Sequence, residues 1–320
     1  TISGGSISDI PAGGGEVASM SGISASQTIT YTSTSTRAGS VSIAYSTKVS
    51  AASLGTTIKA RTKMGTLTAT ATGEGSKTAT KALDVYQAAN SVSYSAVTVT
   101  TATSYATFAA AGATKTPTGT PAYSQTATYT SGSKTTITSG GTISYSMAAT
   151  TGFTLNSSTT GSLTAANRGT TAGSARTATV NMTVALNGQT GSKAITATQE
   201  ANSVTSTTKT LIVSSTVTSF GAAGGTATLS TTGRTVTKYT TGQSTTSDAA
   251  VTPTYSSNNG AFTISGSTLS AANNWGSDNS RSATITAALS GYTSGTVAVS
   301  QSGNGLAIPN MVVGTSFLVR

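Results

Sequence analysis

An all-β fold made of three β-sandwich repeats in tandem is what this sequence predicts, and three observations predict it. Strand-forming residues alternate in short runs, one closing-strand pattern recurs three times, and a glycine-containing turn opens each period. Ser and Thr together make up about 38% of the chain, charged residues 8% and aromatic residues 5%. That composition also suits a disordered stalk, because little apolar surface is present to offset the entropy of ordering a backbone. Periodicity decides for strands. Thr and Val carry branched Cβ atoms that suit a pleated backbone, and here they alternate with small apolar residues. Five prolines in the whole chain are too few for a mucin-like stalk.

The closing pattern reads Leu83-Asp-Val-Tyr-Gln87-Ala-Ala-Asn90, Ile195-Thr-Ala-Thr-Gln199-Glu-Ala-Asn202 and Val297-Ala-Val-Ser-Gln301-Ser-Gly-Asn304. Alternating apolar positions ahead of each glutamine describe a half-buried strand. The glutamines fall 112 and 102 residues apart (87 to 199 to 301), a period that fits one immunoglobulin-like sandwich and far exceeds a solenoid repeat. The opening landmark is an apolar residue followed by a small, glycine-containing turn: Ile10-Pro-Ala-Gly-Gly-Gly15, Phe108-Ala-Ala-Ala-Gly112 and Phe220-Gly-Ala-Ala-Gly-Gly225. Glycine there supplies positive φ for a turn or bulge at a sheet edge. A phosphate-cradling loop needs a helix after it, and strand-like sequence follows instead.

The second and third repeats also match between their landmarks. Phe153-Thr-Leu155 through Leu163-Thr-Ala-Ala-Asn167 corresponds to Phe262-Thr-Ile264 through Leu269-Ser-Ala-Ala-Asn273, and each leads into a strand that begins at Arg176 or Arg281. Period-two alternation there directs Ala178, Val180, Met182 and Val184 to a core. Gly65-Thr-Leu67-Thr-Ala69-Thr-Ala71 is the equivalent strand of the divergent first repeat. The expected division is 1–93, 94–205 and 206–304 for the three sandwiches, with 305–320 as an extended apolar tail. The short linkers Ser91–Tyr94 and Ser203–Ser206 read as continuations of the closing strands.

The chain has neither Cys nor His, so thiolate sites, cysteine nucleophiles and the usual general base are excluded. Its seven carboxylates are scattered, without glycosidase or calcium-loop spacing. The expectation is therefore no enzyme activity, no cofactor and no metal. A net charge of +10 favours acidic partners. No apolar run reaches the length of a membrane span, and no signal peptide is legible at Thr1.

The closing-strand pattern resembles the end of BACON and related bacterial immunoglobulin-like domains, which occur in Bacteroidetes surface proteins and in phages of those bacteria. The resemblance covers residues 1 to 304. It implies a sandwich fold with adhesive, spacer or glycan-associated roles and supplies no catalytic residue. The Ser, Thr, Ala and Gly content is closer to phage fibre or capsid-decoration modules than to the spacers of carbohydrate enzymes. The expected function is thus a structural or adhesive component of the virion surface: a head fibre, tail fibre or capsid decoration. A bacterial cell-surface adhesin, filament subunit or glycan-binding module, extracellular in either case, is the alternative. Partners are expected to be the chain itself, another structural protein or a surface glycan, with neither nucleic acid nor membrane insertion.

Three groups of residues are candidates for contact. Lys59, Arg61 and Lys63 alternate, so an extended segment puts three cations on one face; they either guard an edge strand or touch an acidic partner. Trp275 sits in a loop, Asn273-Asn-Trp-Gly-Ser-Asp-Asn279, where an indole folds over the end of its own sandwich or stacks on a sugar or protein partner. Tyr292 lies in another turn of the same repeat, which raises a shared tip surface. The tail residues Leu306, Ile308, Met311, Val313, Phe317 and Val319 need an apolar face to bury against, on the third repeat, on a further domain or on a neighbouring chain, where strand addition provides one.

Overall fold

The computed structural model describes residues 1–305. Among them there is no α-helix, and the only helical turn is the 3-10 segment Glu74–Ser76. The protein is an all-β tandem sandwich array. The candidate assembly tail from Leu306 to Val319 lies outside the described residues. The chain forms two compact units, one from Thr1–Ala106, Thr114–Thr164 and Ala178–Ala197, the other from Thr107–Ala113, Ala165–Thr177 and Thr198 onward, so the second repeat contributes to both.

In the first unit, Thr62–Gly73 is the central strand of a three-stranded sheet between Val41–Tyr45 and Thr78–Gln87. Its alternation buries Leu67, Ala69 and Ala71 and turns the intervening threonines outward. Ile10, Met20, Leu67, Ala69 and Val85 form the core, with Ile2, Ile23, Ile43 and Val49 packed against it. The register shifts between Lys63 and Gly65, so Thr62 faces Gln87 while Gly65 faces Val85. That bulge inserts one residue into the strand. Within the same unit Val92–Tyr94, Thr98–Thr101 and Lys134–Ile137 all pair with Ala122–Tyr129, and Thr142–Met147 pairs with Arg176–Leu186 from Thr142↔Ala185 to Met147↔Val180. Ala178, Val180, Met182 and Val184 are buried as the alternation predicts. Tyr105 donates its hydroxyl to the Gly161 carbonyl at 2.5 Å, and burial pushes its phenol up to about 12.

In the second unit, two sheets enclose the third repeat's core. One runs Val204–Ser215, Gly225–Tyr239, Thr268–Ala271, Phe262–Ser265; the other runs Ser219–Phe220, Gly295–Gln301, Arg281–Ala288, Thr254–Ser257. Between them lie Phe220, Leu229, Phe262, Leu269, Ile285 and Val299, with the two phenylalanine rings tilted 59° at 6.1 Å. Alanines fill much of the remaining space, here Ala227, Ala271 and Ala283. Burying an alanine methyl gains far less than the roughly 1.5–3 kcal/mol of a large aliphatic side chain, so these cores leave more of the stability to hydrogen bonds.

The linkers differ from the sequence expectation. The closing strands end at Gln87 and Gln199, and after Asn90 and Asn202 the chain starts new strands, Val92–Tyr94 and Val204–Ser215, whose partners are Ala122–Tyr129 and Gly225–Tyr239. In the four residues between the strands, the asparagine backbone still pairs with its own repeat, Asn90 with Lys59 and Asn202 with Gly173.

Candidate junction and contact surfaces

The opening turn and the closing strand meet in every repeat. Ile10 forms a parallel bridge with Gln87, Phe108 with Gln199, and Ser219–Phe220 pairs in parallel with Ser300–Gln301. Each turn closes through one bond at its fourth residue, from Gly14, Gly112 or Gly224 N–H to the carbonyl of Pro11, Ala109 or Gly221. All three glycines have φ between 78° and 88°. A Cβ at Gly112 would lie 2.6 Å from the Ala165 carbonyl oxygen, and one at Gly224 would lie 2.3 Å from that of Ala271. Only glycine satisfies both the angle and the space.

The buried glutamine reaches into this turn in the second and third repeats and to the neighbouring loop in all three. Gln87 Nε2 donates to the Ala52 carbonyl at 2.8 Å. Gln199 Nε2 donates to Ala109 and Ala166, both at 2.9 Å, and Gln301 Nε2 to Gly221 at 3.1 Å and Ala272 at 2.8 Å. In the last two cases an arginine holds the amide oxygen. Arg176 and Arg281 also donate Nη2 to the carbonyls of Ala166 and Ala272. Burial draws the Arg176 guanidinium below its ordinary range.

The asparagine three residues on forms a second lock, and it joins consecutive repeats. Asn90 Nδ2 donates to the carbonyls of Gly55 (3.0 Å) and Thr57 (2.8 Å), in a loop of its own repeat. Its Oδ1 accepts from Thr130 Oγ1 (3.1 Å) and Ser131 N–H (3.0 Å), in a hairpin turn of the next. Asn202 repeats the arrangement: Nδ2 to Gly169 (3.1 Å) and Thr171 (3.0 Å), Oδ1 from Thr240 Oγ1 (2.8 Å) and Thr241 N–H (3.3 Å). Ser131 Oγ and Thr241 Oγ1 reach across to the same Gly55 and Gly169 carbonyls. Both asparagines are 1% exposed. All four hydrogen-bonding positions of the amide are used, so each junction has one geometry. Sequence reasoning found Asn90 and Asn202 as pattern positions and missed their partners. The signal was available in the recurrence of Tyr129-Thr-Ser-Gly132 as Tyr239-Thr-Thr-Gly242.

Lys59, Arg61 and Lys63 are all exposed, and Lys59↔Asn90, Thr62↔Gln87 and Lys63↔Tyr86 keep one antiparallel register. The strand begins at Thr62; Lys59 lies in an isolated bridge to Asn90, and the bulge follows Lys63. Arg61 donates bidentately to Asp9, at 2.5 and 2.7 Å, and stacks 3.8 Å over the Tyr86 ring. Lys63 pairs with Asp84 at 2.6 Å. Hydrogen bonds from Arg61 and Lys63 hold the Asp9 and Asp84 carboxyls below the usual range. Arg37 holds Glu74 down at about 2 in the same way. Two of the three cations thus have their charge balanced locally.

Trp275 is 68% exposed in its turn and does not fold over its own sandwich. Tyr292 is half-buried, with the Lys209 ammonium 5.5 Å from its ring centre, and a Cβ at Gly233 would come within 2.9 Å of the ring. The two aromatics do not share a tip. Arg281–Ala288 runs antiparallel to Gly295–Gln301; Trp275 precedes that hairpin at its Arg281/Gln301 end, and Tyr292 lies in the connection at its Ala287/Gly295 end. An eight-residue strand separates them by roughly 25 Å. No group of three or more acidic, His or Cys side chains is placed to hold a metal among the described residues, and no helix among them is long and apolar enough to cross a membrane.

No protein family and no curated protein matches the sequence. Among solved structures, the chain is similar to the protocadherin gamma B4 extracellular domain at 12% identity, covering 96% of this chain and 43% of that one, with a TM-score of 0.23. Drosophila N-cadherin EC1-4 gives 10% identity over 85% of this chain and 69% of that one, TM-score 0.21. A glycoside hydrolase family 107 endo-fucoidan hydrolase gives 12% over 90% and 38%, TM-score 0.22. The chain spans about half or less of the first two structures it matches, 43% and 50% of their lengths. Likeness at this level assigns no function to the chain.

Proposed function

We propose that this chain is a non-enzymatic structural or adhesive module of three sandwich repeats, near 1–93, 94–205 and 206–304, and that its setting is the surface of a phage virion as a head fibre, tail fibre or capsid decoration. The observation that carries the structural part is the asparagine junction, built twice from equivalent atoms. Fully satisfied, buried polar networks specify one arrangement of the parts they join, which a scaffold needs and a flexible tether does not. The virion setting is supported by the composition, the resemblance of the closing strands to BACON-like domains and a net charge of +10 suited to an acidic shell. Cryo-electron microscopy of the native source fraction tests it. Density at fixed positions on a capsid or tail is the expected result; occurrence only as filaments or on cell envelopes overturns it.

The exposed Trp275 favours a second reading as a glycan-binding adhesin, since a solvent-facing indole can stack on a sugar ring. Saturable quenching of its fluorescence by host-surface polysaccharide is the corresponding measurement.

A further inference from the structure

The hairpin turn that plugs each junction also exists in the first repeat. Tyr31-Thr-Ser-Thr-Ser35 aligns with Tyr129-Thr-Ser-Gly-Ser133 and Tyr239-Thr-Thr-Gly-Gln243. All three turns are closed by the same two backbone bonds, from residue one N–H to residue five C=O and from residue four N–H to residue one C=O, at 2.9 Å throughout. The fourth residue has positive φ in each: Thr34 at 65°, Gly132 at 90° and Gly242 at 82°. The threonine and serine that bind Asn90 correspond to Thr32 and Ser33, which are exposed. Tyr31 is 48% exposed.

The third repeat carries the counterpart of the socket with a different loop: the Asn90 and Asn202 N–H groups bond Lys59 and Gly173, five residues past the loop anchors Leu54 and Arg168, whereas that of Asn304 bonds Ser277, three past Asn274. Asn304 occupies the position of Asn90 and Asn202, and its N–H is anchored to the Ser277 carbonyl. It is exposed, and its side chain has no hydrogen bond among the described residues. The receiving loops are equivalent by their anchors: Leu54, Arg168 and Asn274 N–H donate to Ala12, Ala110 and Ala222. The third loop is one residue shorter before the clasp strand (Leu54 to Thr62, Arg168 to Arg176, Asn274 to Arg281) and presents Trp275 where the others have Gly55 and Gly169. An indole there adds an apolar anchor beside the polar lock.

We propose that the Tyr31–Ser35 hairpin of one copy docks in the Asn304–Trp275 socket of a second copy, so that the protein associates head to tail through the contact that already joins its own repeats. Thr32 Oγ1 and Ser33 N–H donate to Asn304 Oδ1, and Trp275 is covered. A plug and a socket on different surfaces make a heterologous contact, which grows into chains unless the rotation closes a ring. The inference stands whichever particle or surface carries the protein.

Sedimentation velocity of the full chain at protein concentrations up to about 1 mM tests it, with Thr32→Val and Asn304→Ala as variants. Both residues are exposed, so folding should not change. Concentration-dependent oligomers are expected for the parent chain, weakened about tenfold or more by either variant through the lost hydrogen bonds. An equimolar mixture of the two variants retains one good plug and one good socket, and should stop at a 1:1 dimer with a blue-shifted tryptophan emission. A chain that stays monomeric throughout, oligomers indifferent to both variants, or a mixture that forms no dimer would each overturn the proposal.

Discussion

Arg281 Nε donates to Gln301 Oε1 at 2.8 Å, and Arg176 makes the same bond to Gln199 at 2.6 Å. The arginine fixes the amide's acceptor side, which leaves Nε2 facing the carbonyls of the opening turn and the neighbouring loop. In the first repeat Thr62 holds the register position opposite Gln87, so that glutamine has no arginine there. Replacing Gln199 by Leu removes the Nε2 bonds to the Ala109 and Ala166 carbonyls and takes the acceptor from Arg176 Nε, and urea unfolding should show a loss of about 3 kcal/mol. Arg281→Lys keeps the charge but loses the planar fork, and should cost about 1 kcal/mol. Equal, small effects of both changes would mean that the clasp is incidental.

Gly224 and Gly242 share nearly the same φ, 78° and 82°, yet an added Cβ meets the Ala271 carbonyl at 2.3 Å in the first case and open space in the second. Gly242→Ala should therefore cost about 1 kcal/mol, from backbone strain alone. Gly224→Ala adds a clash with backbone and should cost roughly 3 kcal/mol. Thermal or urea unfolding of the pair measures the difference; identical losses would show that the turn relaxes.

Asn90→Ala removes four hydrogen bonds, two to a loop of its own repeat and two to the hairpin turn of the next. Calorimetry should show the parent's coupled transition split, with the first repeat melting separately, and a total loss of about 2–4 kcal/mol. If the variant melts in the same transition as its parent, the repeats are coupled elsewhere.

Hydrogen bonds from Arg37 and from the Ser40 N–H hold the Glu74 carboxyl at about 2, below its ordinary 4.5. A carboxyl lowered on folding stabilises the folded state above its unfolded value, and that contribution is lost as pH falls from about 4.5 through about 2. Asp9 and Asp84, in the same repeat, are lowered for the same kind of reason. Stability measured by urea unfolding should decline across that window, and Glu74→Gln should flatten the decline. An unchanged slope in the variant would assign the acid sensitivity to other carboxylates.

Strand content and core-facing positions were legible from residues 176–184 and 65–71 because a two-residue period is a local property: every second side chain faces the same way whatever lies beyond it. The recurrence of Gln87, Gln199 and Gln301, and of the glycine turns, could likewise be read from spacing. Two features of the candidate surfaces depend on contacts that spacing does not carry. Lys59, Arg61 and Lys63 alternate in sequence, but spacing could not show that two carboxylates from distant positions, Asp9 and Asp84, balance the charge of Arg61 and Lys63. Trp275 and Tyr292 are near in sequence but lie at opposite ends of one hairpin.

The sequence by itself determined an all-β chain of sandwich repeats that has neither Cys nor His, because composition and period suffice for that. Only the tertiary structure decided what the repeated polar residues do. Gln199 meets Ala109 and Ala166, and Asn202 meets Gly169 and Thr240, across separations of 90, 33, 33 and 38 residues. A buried amide must find donors and acceptors wherever the fold brings them, and no local pattern in the chain specifies those partners.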